Sequence, residues 1–111
     1  MLNNPKMFDK MPKNKQSKLL DWIKNNLIPI KTINWKVSSY RLKHIFEKSE
    51  GGFYVTNGEF KGAMLKSGFK INDPDNTNWY FNISQKSTCL RGNQDENSNK
   101  YQLFTKKPKS I

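Results

Sequence analysis

Apolar residues recur along this chain in short stripes, and the stripes differ in period. Between about Lys15 and Leu27, Leu19, Leu20, Ile23 and Leu27 share one face at helical spacing while Lys18, Lys24 and Asn25 point away. That predicts a first helix ending before Pro29, because the residue ahead of a proline disfavours helical backbone. The run Ile30 to Val37 is β-branched and aromatic, which predicts a short strand. A second helix then starts at an N-cap of Ser38 or Ser39, buries Leu42, Ile45 and Phe46, and stops at Gly51-Gly52.

The third helix has the best-marked ends. Thr56-Asn57-Gly58-Glu59 fits a capping box, with Val55 and Phe60 placed for a hydrophobic staple. Gly68 is placed for a left-handed C-cap, with Phe69 folding back on Met64, so this helix should run from about Asn57 to Ser67. Behind it, Phe69 to Ile71 and Asn78 to Ser84 read as two strands joined by the turn-rich loop 72–77. Trp79, Phe81 and Ile83 alternate with Tyr80 and Asn82, the pattern of a half-buried strand.

Helix, strand, helix, helix and hairpin is the element order of an α+β winged helix-turn-helix with a C-terminal β-hairpin wing. The expected organisation is a basic N-terminal arm over residues 1–14, a winged-helix core over 15–84, and a disordered basic tail over 85–111. Beyond Ser84 the periodicity is lost and the composition becomes polar. The exception is Tyr101-Gln102-Leu103-Phe104, where Tyr101, Leu103 and Phe104 could form a motif docking a partner such as a replication protein, or could cap the core.

Charge changes the picture most. Lys and Arg number 20 against nine acidic residues, a formal net charge of +11 on 111 residues. The flanks carry much of it: residues 1–18 hold +4, 19–84 hold +3 and 85–111 hold +4. Such a body attracts polyanions. No segment approaches the roughly 18 apolar residues of a membrane span, and Met1 to Lys18 has no continuous apolar stretch, so neither an anchor nor a secretory signal is expected and the chain reads as cytoplasmic.

Catalytic chemistry is hard to assemble. His44 is the only histidine and Cys89 the only cysteine, so neither a triad nor a metal cluster is indicated, and Asp73 and Asp75 flank Pro74 as ordinary turn residues. No Gly-Lys-Ser/Thr follows the glycines, which excludes a phosphate loop. A non-enzymatic protein without cofactor or metal is the expectation.

Single-strand binding needs cations along a backbone track and aromatic faces on which bases stack. The candidate DNA contacts are Lys61 and Lys66 on the third helix, Lys70 and Tyr80 on the hairpin, and Arg41 and Lys43 on the second helix. Fourteen aromatic residues exceed what so small a core hides, so Trp35, Tyr54 and Trp79 are candidates for an exposed apolar pocket. With 18 Lys to two Arg, point charges for phosphate outnumber the bidentate groups that read duplex sequence, although an AT-rich genome would also deplete Arg.

Residues 40–84 add a resemblance. Gly52-Phe53-Tyr54-Val55-Thr56-Asn57-Gly58, Phe60-Lys61-Gly62-Ala63-Met64-Leu65, Gly68-Phe69-Lys70 and Asn78-Trp79-Tyr80-Phe81 resemble the small single-stranded-DNA-binding protein family of staphylococcal cassette chromosome elements. The resemblance implies a winged-helix fold in place of an oligonucleotide-binding barrel, single-stranded DNA as ligand, and a part in the replication or transfer of a mobile element. The alternatives are a duplex-binding winged-helix regulator and a protein-docking adaptor.

Overall fold

A computed structural model describes residues 3–93. A 3-10 helix, Pro5–Lys10, is followed by four α-helices: α1 (Lys13–Asn26), α2 (Ser39–Lys48), α3 (Asn57–Lys66) and α4 (Thr88–Asn93). The helix ends obey local chemistry. Ser38 caps α2 by accepting from the Arg41 N–H, and both hydrogen bonds of the Thr56–Glu59 capping box are present at α3. At the other end of α3, Gly68 has φ +90°, Phe69 N–H donates to the Met64 carbonyl and Gly68 N–H to that of Leu65. These are the two bonds of a Schellman motif, and glycine is there because its left-handed backbone strains any side chain.

Among the described residues there is no strand, hence no sheet and no hairpin wing. The winged helix-turn-helix is therefore excluded. The predicted hairpin does approach itself, at a single antiparallel bridge between Ile71 and Phe81 flanked by Asn72 N–H to Tyr80 carbonyl and Asn82 N–H to Lys70 carbonyl. Its reciprocal bonds go elsewhere: Tyr80 N–H donates to Asn72 Oδ1 and Lys70 N–H to Asn82 Oδ1. Asparagine side chains thus compete with the ladder and end it after one step.

The predicted strand 30–37 fails for a related reason. Ile30 N–H donates to the Asn82 carbonyl and Ser39 N–H to that of Trp79. The first side has many more residues between these points than the second, so its excess loops outward and carries Trp35. Asn34 holds the loop, its amide donating to the Ile83 carbonyl and to Gln85 Oε1.

Helix α3 lies at the centre. Phe60, Ala63 and Met64 are fully buried, and Asn57, Gly58, Lys61 and Gly62 are buried too, leaving Leu65 and Lys66 exposed. A helix covered nearly all round belongs to the core and cannot serve as a recognition helix. The 3-10 helix packs directly on it, and Phe8 and Met11, from the segment read as a basic arm, join the core. Glycine permits that approach: a Cβ at Gly62 would run into the Pro5 carbonyl and the Phe8 Cβ, and one at Gly58 into the Asn4 backbone.

The start of the predicted tail is also structured. Ser87 is buried, its hydroxyl accepts from the Ile28 N–H, and Leu90 of α4 enters the core. The remaining tail, with Tyr101, Leu103 and Phe104, lies outside the described residues.

Gly62→Ala should lower stability by about 1–3 kcal/mol, the usual effect of overpacking a close contact, and should expose the first ten or so residues to protease. An unchanged urea midpoint would refute the close packing of the 3-10 helix on α3.

Candidate nucleic-acid interface

Aromatic residues divide by chemistry. All described phenylalanines are buried or half-buried, whereas Trp35, Tyr40 and Tyr54 are 65%, 51% and 70% exposed. Trp35, on the outward loop, packs against Tyr80 with ring centroids 5.3 Å apart. Tyr80 faces out because its neighbours Trp79 and Phe81 face in. Lys70 stands on the same outer face, since the Ile71–Phe81 bridge sets Lys70 and Tyr80 diagonally across from each other.

This patch adjoins α2. Ser38, the cap of α2, is bridged to Tyr80, and from there Tyr40, His44 and Lys48 follow at one-turn spacing along the outer side of the helix. Tyr40 meets the His44 imidazole edge-on at 4.4 Å. On one side of this ridge is a cleft of about 700 Å3 lined by Trp22, Arg41, Lys48 and Cys89. On the other is a cavity of about 500 Å3 with Lys43, Tyr54, Asn57 and Asn78 in its lining. Tyr40 and His44 border both.

Lys43 is 5% exposed. Its ammonium donates to Glu47 Oε2 at 2.9 Å and lies 5.4 Å from the Tyr40 ring centroid and 5.1 Å from that of Tyr54. Glu47 also accepts from the Val55 N–H and pairs with His44 Nδ1 at 3.1 Å. Burial alone would raise the Glu47 carboxyl, but the hydrogen bonds from Lys43 and Val55 and the charges of Lys43 and His44 outweigh it and hold it below its ordinary value.

The sequence candidates are thus dispersed. Arg41 lines the larger cleft, Tyr80 packs on Trp35 with Lys70 on the same outer face, and Tyr54 and Lys43 share the smaller cavity. Lys66 is exposed at the far end of α3, roughly 14 Å of helix from Asn57. Lys61 does not reach solvent. It is 2% exposed, lies 4.3 Å from the Trp79 ring centroid and donates to the Thr77 carbonyl at 2.9 Å. Trp79 is equally buried, with its indole N–H on the Pro74 carbonyl, so it belongs to the core and lines no exposed pocket. Tyr40, His44 and Lys48 were not singled out as contacts, yet their four-residue recurrence opposite Leu42 and Phe46 is visible in the sequence.

No protein-family model, curated protein or solved structure matches this chain. The resemblance to the cassette-element family stands on its quoted residues alone, and the fold it implies is the one excluded above.

Two further features bear on chemistry. Burial pushes the Cys89 thiol up to about 11, so its thiolate is scarcely populated near neutral pH. Among the described residues no helix is long and apolar enough to cross a membrane, and no group of three or more His, Cys, Asp or Glu side chains is placed to hold a metal ion.

Burial also depresses Lys61 below its ordinary value near 10.5. The unfolded chain then holds that proton more tightly, so this group makes stability rise as pH climbs from the depressed native value towards 10.5. Lys61→Met should remove that rise in urea midpoints measured between pH 8 and 10.5. The Thr77 carbonyl keeps its Asn57 donor, and polyanion affinity should stay within about twofold. A large loss of affinity would place Lys61 at the surface instead.

Proposed function

We propose that this chain is a non-enzymatic single-stranded DNA-binding protein that holds its strand along the outer side of α2 and over the Trp35–Tyr80 stack. The observation that carries the reading is the outward display of Trp35, Tyr40 and Tyr54 on a chain of net charge +11. Exposed rings are unfavourable in water unless a partner covers them, and bases stack on such rings irrespective of sequence, contributing roughly 1–3 kcal/mol each. Arg41, Lys48 and Lys70 supply cations beside the rings for the phosphates.

The same geometry speaks against the duplex-binding regulator. With α3 enclosed in the core, the third helix cannot act as the recognition helix of a winged-helix regulator, and the rings that would stack on unpaired bases find none on a closed duplex. A part in the replication or transfer of a mobile element rests only on the family resemblance.

Single-stranded oligonucleotides should outcompete the matching duplex across a salt series, with mixed sequences binding within a few-fold of one another. Trp35→Ala should weaken binding by roughly 1–3 kcal/mol without altering the salt slope, because stacking releases no counterions. Arg41→Ala or Lys48→Ala should each lower the slope by up to about 0.7. A duplex that wins by orders of magnitude, or binding indifferent to Trp35→Ala, would defeat the proposal.

A further inference from the structure

The smaller cavity beside α2 has a donor and acceptor arrangement that stacking alone does not require. Its floor is organised by Asn57, whose Oδ1 accepts from Ser39 Oγ while its Nδ2 faces Asn3 Oδ1, the Thr77 carbonyl and Asn78 Oδ1. The acceptor ends of Asn3 and Asn78 therefore point inward and are engaged. Their Nδ2 groups, and the hydroxyls of Tyr40 and Tyr54, make no hydrogen bond among the described residues. The carboxylates bonded to the lining are engaged: Glu47 by Lys43, His44 and Val55, and Glu59 by the Thr56 N–H. Lys43 uses one ammonium proton on Glu47 and holds the others between the two tyrosine rings.

The result is a slot with aromatic walls and mainly donors at hand. A planar ring entering it would cover Tyr54 and Tyr40, and would find Lys43 Nζ and the amide nitrogens of Asn78 and Asn3 seeking acceptors. Among nucleobases, thymine and guanine present carbonyl oxygens on the edges where cytosine and adenine present an amino group. An amino group directed at this cavity would meet donors and make no hydrogen bond with them, whereas a carbonyl oxygen would accept one.

We propose that the cavity between Tyr40 and Tyr54 is a nucleobase pocket that takes one unpaired base of the bound strand and favours carbonyl-rich thymine or guanine over cytosine and adenine. The proposal rests on the single-strand reading above and adds a base preference to it. The preference is compatible with little discrimination among mixed sequences, because any mixed strand can slide a thymine or guanine into a single pocket.

The test compares oligo-dT, oligo-dU, oligo-dC and oligo-dA of equal length at one salt concentration, using the full chain. The dU strand keeps both carbonyls and lacks the methyl group, so it should bind like dT, and both should bind about five- to tenfold tighter than dC and dA. Tyr54→Ala should collapse the dT/dC ratio to about twofold or less. Asn78→Asp replaces the amide donor with an acceptor and keeps the oxygen facing Asn57, so it should shift the ratio towards dC. Both residues are exposed, and unchanged urea midpoints would show that these variants fold. Trp35→Ala should weaken all strands alike and preserve the ratio. Equal wild-type affinities for dT and dC, or a ratio that survives both Tyr54→Ala and Asn78→Asp, would overturn the pocket while leaving single-strand binding intact. If no single strand binds, both readings fall together.

Discussion

The side chain of Asn57 joins segments that the chain order keeps far apart. It sits at the first turn of α3, 7% exposed, and its amide contacts Ser39 at the start of α2, Asn3 near the N-terminus, and Thr77 and Asn78 at the head of the extended segment that follows. Ser39, itself fully buried, extends the knot: its hydroxyl accepts from the Trp79 N–H and its N–H donates to the Trp79 carbonyl. With no sheet to fix the extended segment, this network takes over the task. A buried amide whose oxygen and nitrogen are both engaged, as those of Asn57 are, rigidifies the segments it joins. The candidate surface begins one residue beyond this knot, because Tyr40 follows Ser39 and Tyr80 follows Trp79.

A second tie holds the other wall. Glu47 on α2 takes the Val55 N–H, which fixes the approach to α3 and with it Tyr54, while also holding Lys43 under the rings. An isolated cation among apolar groups would be costly to bury, but here the carboxylate lies within hydrogen-bond distance and two ring faces flank the ammonium. Lys61 has no such carboxylate and relies on a carbonyl and one indole face, which is why burial depresses it. The two buried lysines therefore serve different ends: Lys43 shapes a cavity, and Lys61 fills the space beneath Trp79.

Helix ends were legible in the sequence because caps are local. Ser38, the Thr56–Glu59 pair and Gly68 act within a few residues of themselves, and each does what its type and spacing suggest. The strands were misread because alternation of Trp79, Phe81 and Ile83 reports which side is buried and says nothing about the partner. Whether a ladder forms was decided by Asn34, Asn72 and Asn82, whose amides intercept backbone groups only once the chain is folded. Lys61 was taken for a surface contact because helical spacing cannot reveal that α3 is enclosed on nearly all sides. The four-residue interval between Gly58 and Gly62 was the available signal, marking a face where another backbone comes close. At the site, Tyr80 was legible as an aromatic out of phase with the core and Tyr54 only through the excess of aromatics over what the core hides, whereas the partnership of Tyr54 with Tyr40 depends on the Glu47–Val55 bond, which no local pattern announces.

On the proposed single-strand reading, the distribution of charge and of rings separates two stages of capture. The flanking segments hold most of the excess cation, and the middle of the chain, which carries the exposed aromatics, holds the least per residue. At physiological salt a lysine more than about 8 Å from a phosphate is largely screened. Distant lysines then raise the rate of encounter with any polyanion, duplex or single strand, without choosing between them. Choice must come from groups in contact, and along α2 those include rings and hydrogen-bond donors beside the cations Arg41 and Lys48. Selectivity and affinity are thereby placed on different residues, so that salt should erode the attraction of the whole molecule for nucleic acid faster than it erodes the preference for unpaired bases.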